Sequence, residues 1–272
     1  MGEQKTIRST KNGPVTTESL ISDFSKLGIS PGMVLLLHSS LSSIGWVVGG
    51  PVAVIQALEL VLGPNGTLVM PTHSGDLSDP KDWNNPPVPE SWKDIIRQTM
   101  PAFEPDLTPT RGMGRIPETF RKKNGVIRSN HPHDSFAASG TESEFITNDH
   151  SLDFGLGERS PLARIYDLDG WVLLLGVNFE NNTSLHLAEL RADFPSKKVV
   201  EQSGPIIKNG NRSWVPIKSL EDNTNDFMKI GRAYRKSGGR IKTGKIGNAK
   251  AELIPQRDLV DFTARWMSEN RK

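Results

Sequence analysis

The 272-residue chain contains no cysteine. Disulfides, thiolate metal sites, iron–sulfur clusters and a cysteine nucleophile are therefore excluded. It also lacks an apolar run of the roughly 18 residues needed to span a bilayer. Its longest candidates, Val34–Leu37 and Trp171–Val177, have the length of buried strands. No sign of charge prevails. The 33 Lys and Arg stand against 31 Asp and Glu, a net charge of +2 that is too balanced to point to nucleic acid. The opening residues MGEQKTIRSTKNG carry no apolar stretch of a signal peptide, and no repeat or low-complexity tract is evident. A cytoplasmic α/β protein is expected, with neither a membrane nor a nucleic-acid partner and no indication of oligomeric state.

The first 14 residues or so are expected to be poorly ordered. Beyond them, one domain accommodates the whole of 1–272. Thr16 or Thr17 can cap a helix whose apolar stripe is Leu20, Ile21, Phe24 and Leu27 and whose end is Gly28. Met33–Leu37 reads as a strand buried on both faces. Pro51 opens a helix over 52–62, and Thr67–Met70 is a second strand, which completes a βαβ unit. From Pro71 to Pro117 the chain carries nine of its 19 prolines and one short helical signal near Ser91–Thr99. An irregular excursion of that length is a binding loop or lid, and Trp83, Trp92 and Phe103 argue that it is packed. Helices are predicted over 116–123 and 181–193, a third strand over 171–177, and a hairpin around Asn209-Gly210 within 206–217. A strand over 246–253 and a final helix with Leu259, Phe262, Thr263 and Trp266 on one face complete the reading. The fold class is α/β: a single domain with a central mixed sheet, flanking helices and a late β-rich section.

Several clusters could carry chemistry. His186 and Glu189 lie one turn apart on a helix that follows a buried strand, the place where open α/β sheets bind ligands. A carboxylate beside an imidazole makes a general base at neutral pH, although a surface pair would read the same way. His38, Ser39 and Ser40 end the first strand and His73 ends the second, so they gather at the sheet mouth or simply serve as turn residues. Arg111-Gly112-Met113-Gly114-Arg115, just before a helix start at Ile116, offers charge and backbone N–H groups to a phosphate. It matches neither a Walker loop nor a dinucleotide fingerprint. Within Ser129–Ser135 two histidines, His131 and His133, are two apart, with Asp134, His150, Asp153 and the distant His73 as conceivable metal partners. No third ligand has convincing spacing, so no metal is expected. Asp76, Asp79, Asp82, Glu90, Asp94, Glu104 and Asp106 crowd the proline-rich segment, as a solvated loop or a polycation site would.

Read in order, six blocks resemble the aminoglycoside 3-N-acetyltransferases, the antibiotic N-acetyltransferase family. They are LLLHSSLSSIGWVVGG (Leu35–Gly50), GPNGTLVMPTHS (Gly63–Ser74), RGMGRIPETFR (Arg111–Arg121), RSNHPHDSFAASG (Arg128–Gly140), GLGERSPLARI (Gly155–Ile165) and LLLGVNFENNTSLHLAE (Leu173–Glu189). The resemblance spans about residues 15 to 265. It implies the antibiotic-acetyltransferase fold and acetyl transfer from acetyl-coenzyme A, as co-substrate, to the 3-amino group of a 2-deoxystreptamine ring. Carried onto this chain, it implies a coenzyme A site made of His38, Ser39, Ser40, Leu41, Arg111, Met113, Gly114, Arg115 and Ile116. Ser129, His131 and the Ala137–Gly140 strand, Ala138 included, would line its channel. His186 would be the base with Glu189 behind it, and His73, Asp76 and, more loosely, Asp226 would face the acceptor. Direct transfer in a ternary complex is expected; Ser39 or Ser40 could in principle carry an acyl group instead. The rival readings are transfer to a different amine, a metal hydrolase using His131, His133 and His73, and a non-catalytic coenzyme A carrier.

Overall fold

The computed structural model describes residues 2–10, 13–221 and 223–272. The opening stretch, expected to be poorly ordered, forms a helix, α1 (Glu3–Ser9); residues 1, 11 and 12 lie outside the described residues. Trp46 anchors α1 through its indole N–H to Glu3 at 3.2 Å and its backbone N–H to Thr10 at 2.8 Å. Helix α2 (Thr17–Leu27) begins with a capping box between Thr16 and Ser19 and ends at Gly28, whose φ of +98° is left-handed. Then come β1 (Val34–Ser39), the single turn α3 (Leu41–Ile44), α4 (Pro51–Leu62) with Pro51 at its first position, and β2 (Thr67–Pro71).

The proline-rich segment folds as a packed loop with one real helix, α5 (Glu90–Thr99), before α6 (Arg115–Phe120). Phe103 is buried and Trp83 half-buried, but Trp92 is 55% exposed and contributes nothing to that packing. Arg128 fastens the loop to the sheet. Its guanidinium donates to the carbonyls of Pro105, Thr108 and Thr72 at 3.0, 2.5 and 2.6 Å and lies over the Phe103 ring.

Next in the chain are β3 (Ile127–Arg128), β4 (Phe136–Gly140), α7 (Ser143–Thr147), α8 (Pro161–Asp167) and β5 (Trp171–Leu175). The helix expected over 181–193 is shorter. Asn182 accepts from the Ser184 N–H, and α9 spans Ser184–Arg191. The hairpin pairs β6 (Val199–Lys208) with β7 (Asn211–Leu220) over ten residue pairs. Asn209 and Gly210 both have positive φ, as a two-residue turn of this hand requires. After α10 (Phe227–Lys236), the strand expected over 246–253 is in fact two, β8 (Lys242–Ile246) and β9 (Ala249–Pro255), folded back at Gly247-Asn248. Gly247 holds a φ of +55° there, and a Cβ on it would strike the Ile44 carbonyl. Helix α11 (Gln256–Asn270) follows.

Seven strands form one mixed sheet in the order β3-β4-β2-β1-β5-β9-β8; the hairpin β6-β7 is a separate sheet. β1 is parallel to β2 and to β5, while β4 and β9 run antiparallel to their neighbours. Alternation along β1 splits the core in two. Leu35 and Leu37 pack with α2 and α4; Val34 and Leu36 pack with residues of α8 to α11. Burial on both faces explains why β1, β2 and β5 read as continuous apolar runs.

Tight backbone approach governs the sheet's β2–β4 edge. Gly140 has a φ of +126°, and a Cβ there would overlap the Gly66 carbonyl, whereas Gly210, at φ +77°, has open space around it. Gly140→Ala should therefore lower stability clearly more than Gly210→Ala, which should cost the ~1–2 kcal/mol of a left-handed non-glycine residue. Urea denaturation of the two variants checks this; equal losses would contradict it.

Candidate active site

Parallel pairing sets His38 of β1 opposite Leu174 of β5. His73 lies two residues past β2, and α9 carries His186 back over the same edge. His38 is buried, with Nε2 3.4 Å from the Thr183 hydroxyl. Burial, helped by the nearby His73, pushes its pKa down to about 3. His73 meets Phe136 edge-on at 5.3 Å, and its Nε2 is sealed from solvent without a hydrogen-bond partner. Burial pushes it down to about 4, opposed by Asp134 and reinforced by His186. The three imidazoles thus form a row in which each senses the next.

His186 ends this row differently. Its Nδ1 is 3.0 Å from Glu189 Oε2, and its ring rests on Phe227 at a centroid distance of 5.1 Å. A carboxylate only accepts, so Nδ1 carries the proton and Nε2 presents a lone pair. The other Glu189 oxygen is paired with Arg271, which also holds Asp226.

Beside the strand ends lies a cleft of about 620 Å³. The sequence-predicted residues Ser39, Ser40, Leu41, Met113, Gly114, Arg115 and Ile116 all line it, as do Glu3 and Thr6 of the unforeseen α1. Gly112 and Gly114 have φ of +72° and +86°, so the loop exposes its backbone to the cleft. Arg115 is exposed there, and Ser39 Oγ is buried without a partner. Among the described lining residues Arg115 is the cation and Glu3 the anion; a volume of this size, with a guanidinium and glycine backbone on one wall, can take an elongated ligand with anionic groups at the Arg115 end. His38 backs this wall rather than forming part of it.

The remaining predicted residues are elsewhere. Arg111 is ion-paired with Asp76 and lines a separate 410 Å³ hollow with Trp83, Asn85 and Pro86. The pair is exposed on both sides, so each charge is partnered here by a weak, solvated contact. Asp226 is occupied by Arg271. Ser129, His131 and Ala138 are buried and absent from the cleft wall. Ser129 Oγ accepts from the Phe136 N–H and bonds His150 Nδ1 at 2.9 Å. His131 Nδ1 accepts from the backbone N–H groups of His133 and Asp134, and Nε2 donates to the Leu152 carbonyl. These groups tie a turn together; they do not line a channel. Among the described residues no three His, Asp or Glu side chains are grouped to hold a metal. Of the seven acids of the proline-rich segment, Asp76 pairs with Arg111, Asp79 and Asp94 with Arg97, and Glu90 with Lys93. Sequence reasoning missed Arg128 and Arg271, the cations that organise the loop and the Glu189 carboxylate. Arg128 heads a recognised block, but nothing local signals Arg271.

Burial also pushes His150 down to about 3. Above pH 6.5, His38, His73 and His150 are neutral in both folded and unfolded chains and add no pH dependence. Below it, the unfolded chain binds protons that the folded protein refuses, so stability falls as the pH drops from 6.5 toward 4, by up to about 1.4 kcal/mol per pH unit per histidine. Thermal unfolding at fixed ionic strength should show Tm falling across this window, with a shallower slope in His150→Gln. A wild-type Tm that is flat between pH 6.5 and 4.5 would contradict the burial of neutral rings.

Comparison with known proteins identifies the family. The model of the family described as aminoglycoside 3-N-acetyltransferase matches residues 36–268. The prophage-derived aminoglycoside N(3')-acetyltransferase-like protein YokD of Bacillus subtilis is 48% identical over 98% of this chain and 97% of its own. Aminoglycoside N(3)-acetyltransferase VII of Streptomyces paromomycinus is 38% identical over 95% of this chain and 93% of its own. The YokD crystal structure superposes with a TM-score of 0.95, covering 98% of both chains. AAC-IIIb in binary complex with CoASH gives 0.84 at 30% identity, covering 95% of this chain and 98% of that one. AAC-VIa bound to sisomicin gives 0.86 at 29%, covering 95% and 99%. Among the described residues no helix is long and apolar enough to cross a membrane. With its sequence and its fold matched across nearly the whole chain, the protein belongs to the aminoglycoside 3-N-acetyltransferase family of acyltransferases.

Proposed function

We propose that the protein transfers an acetyl group from acetyl-coenzyme A to the 3-amino group of a 2-deoxystreptamine aminoglycoside, by direct attack in a ternary complex with His186 as general base. The observation that carries this is the His186–Glu189 bond, which leaves an imidazole lone pair on a ring that His73 senses from the strand ends and that borders a small hollow with Phe154, Leu156 and Ser219. The related AAC-IIIb and AAC-VIa structures, with CoASH and with sisomicin, support the two ligand classes. Ser39, Ser40, Leu41, Met113, Gly114, Arg115 and Ile116 hold the coenzyme. Arg115 meets its phosphates, and Ser39 Oγ offers a hydrogen bond near the strand end. The acceptor nitrogen adds to the thioester carbonyl carbon, its proton passes to His186 Nε2, and the carbon–sulfur bond breaks; the same proton then passes from His186 to the departing sulfur, so coenzyme A leaves as the thiol and the base is regenerated. His73, neutral and with an unpartnered Nε2, faces the acceptor side.

A different amine is the second reading, and one feature favours it. Asp76 and Asp226 are both engaged by arginines, which leaves fewer free carboxylates for a polycation than the sequence suggests. Thiol release from acetyl-coenzyme A with a panel of aminoglycosides, set beside a panel of simple amines, separates the two. No turnover with any aminoglycoside would remove the first reading.

His186→Ala should lower kcat by ~10²–10⁴-fold with KM for acetyl-coenzyme A unchanged; a near-normal kcat would refute the base assignment. Arg115→Ala should raise KM for acetyl-coenzyme A on the order of tenfold, the worth of one charge-assisted hydrogen bond, and leave kcat near wild type. An unaltered KM would move the phosphates away from this cleft wall.

A further inference from the structure

The hydrogen-bonded pair His186–Glu189 is the first half of a longer chain of charges. Glu189 Oε1 is ion-paired with Nη1 of Arg271, immediately beyond α11. Arg271 then grips Asp226 with two donors, Nε to Oδ2 at 2.8 Å and Nη2 to Oδ1 at 2.7 Å, and Nη2 also donates to the Asn223 carbonyl at 2.9 Å. Its guanidinium lies over Phe194. Glu189 is 2% exposed and Arg271 8%. Three elements therefore meet at one carboxylate: α9, the entry to α10, and the chain leaving α11.

We infer that Arg271 is a positioning residue for the base: it occupies the second oxygen of Glu189 and, together with Asp226, sets the negative charge behind the His186 ring. The inference rests on reading His186 as the base. A carboxylate held at one oxygen rotates through a broad torsional well; held at both, it keeps a single oxygen on the imidazole. The signs alternate along the chain. Glu189 alone would be a bare carboxylate in a nearly dry site, Arg271 cancels it, and Asp226 returns one negative charge. His186 then has a partner when it takes a proton, and no buried charge is stranded when it does not. Among the described residues His73, just past the end of β2, also senses His186. Phe227 on α10 and the wall of Phe154, Leu156, Ser219 and Leu220 bring no charge.

Two variants shift this balance in opposite directions. Arg271→Met leaves Glu189 and Asp226 without their cation, so the acid limb of the kcat/KM profile should move to higher pH. In the same variant kcat should fall by about tenfold, a part of the base's full contribution, with KM for acetyl-coenzyme A unchanged. Arg271→Lys should restore part of that kcat. Asp226→Asn keeps the cation and removes a negative charge, so the limb should move to lower pH. A purely structural role would reduce stability without opposite shifts of the limb. An unmoved limb in both folded variants, or wild-type kcat in Arg271→Met, overturns the inference. Should Arg271→Met fail to fold, an unmoved limb in Asp226→Asn overturns it alone. His186→Ala in the same assay tells the two failures apart. If that variant keeps its kcat, the base reading falls and this inference with it; if it loses kcat while the limbs stay fixed, only the role of Arg271 is lost.

Discussion

β1 lies between β2 and β5 and runs parallel to both, so three segments leave the sheet at one edge. That shared exit is the constraint on which the chemistry depends. It delivers His38 and Ser39 from one strand, His73 from just past the second, and α9 with His186 from beyond the third. Parallel strands need crossovers, and those crossovers cover both faces of the sheet with helices. The strand ends are then the place where a two-faced core can open to a ligand. The antiparallel flanks, β4 with β3 and β9 with β8, extend the sheet and send no reacting group to this edge.

Electrostatics in the site follow from burial. His38 and His73 are held neutral because nothing near them compensates a proton strongly enough. His186 alone has a carboxylate in contact with its ring. A row of like groups is thereby differentiated by neighbours: two imidazoles are held neutral by burial, and one is hydrogen-bonded to a carboxylate. On the other side, the cleft draws its polarity from backbone in left-handed turns at Gly112 and Gly114 and from Arg115, with little help from fixed anions.

Much of this was legible from residue pattern. The continuous apolar runs at 34–37, 67–70 and 171–177 announced buried strands, the last ending at Leu175, and their polar ends marked where side chains gather at one edge of the sheet. Local chemistry also placed α2, α4 and the Asn209-Gly210 hairpin, because caps, proline and turn residues act within a few positions. What was not legible depended on distance in sequence. Arg271 reaches Glu189 across 82 residues, and Arg128 reaches Thr72 across 56; no local pattern encodes either. The same holds for Asp76 and Arg111, sensible as separate ligands when read singly and paired with each other once folded. Ser129 and His131, polar residues within a recognisable block, hold the backbone of a turn together, and Ala138 packs inside β4. The split of one expected strand into β8 and β9 came from Gly247, whose close approach to the Ile44 carbonyl is a tertiary fact.

The proline-rich loop is attached by two kinds of bond. At its root, Arg128 donates only to carbonyl and hydroxyl oxygens in a buried pocket, and, with a pKa lowered to about 10, it remains a cation throughout the neutral range. Midway along it, Glu90 with Lys93 is an exposed ion pair of the sort that dissolved salt weakens. Rising ionic strength therefore loosens the outer rim of the loop while its base stays fixed. The segment beside the reacting edge is a graded flap, stiff at the sheet and soft toward water.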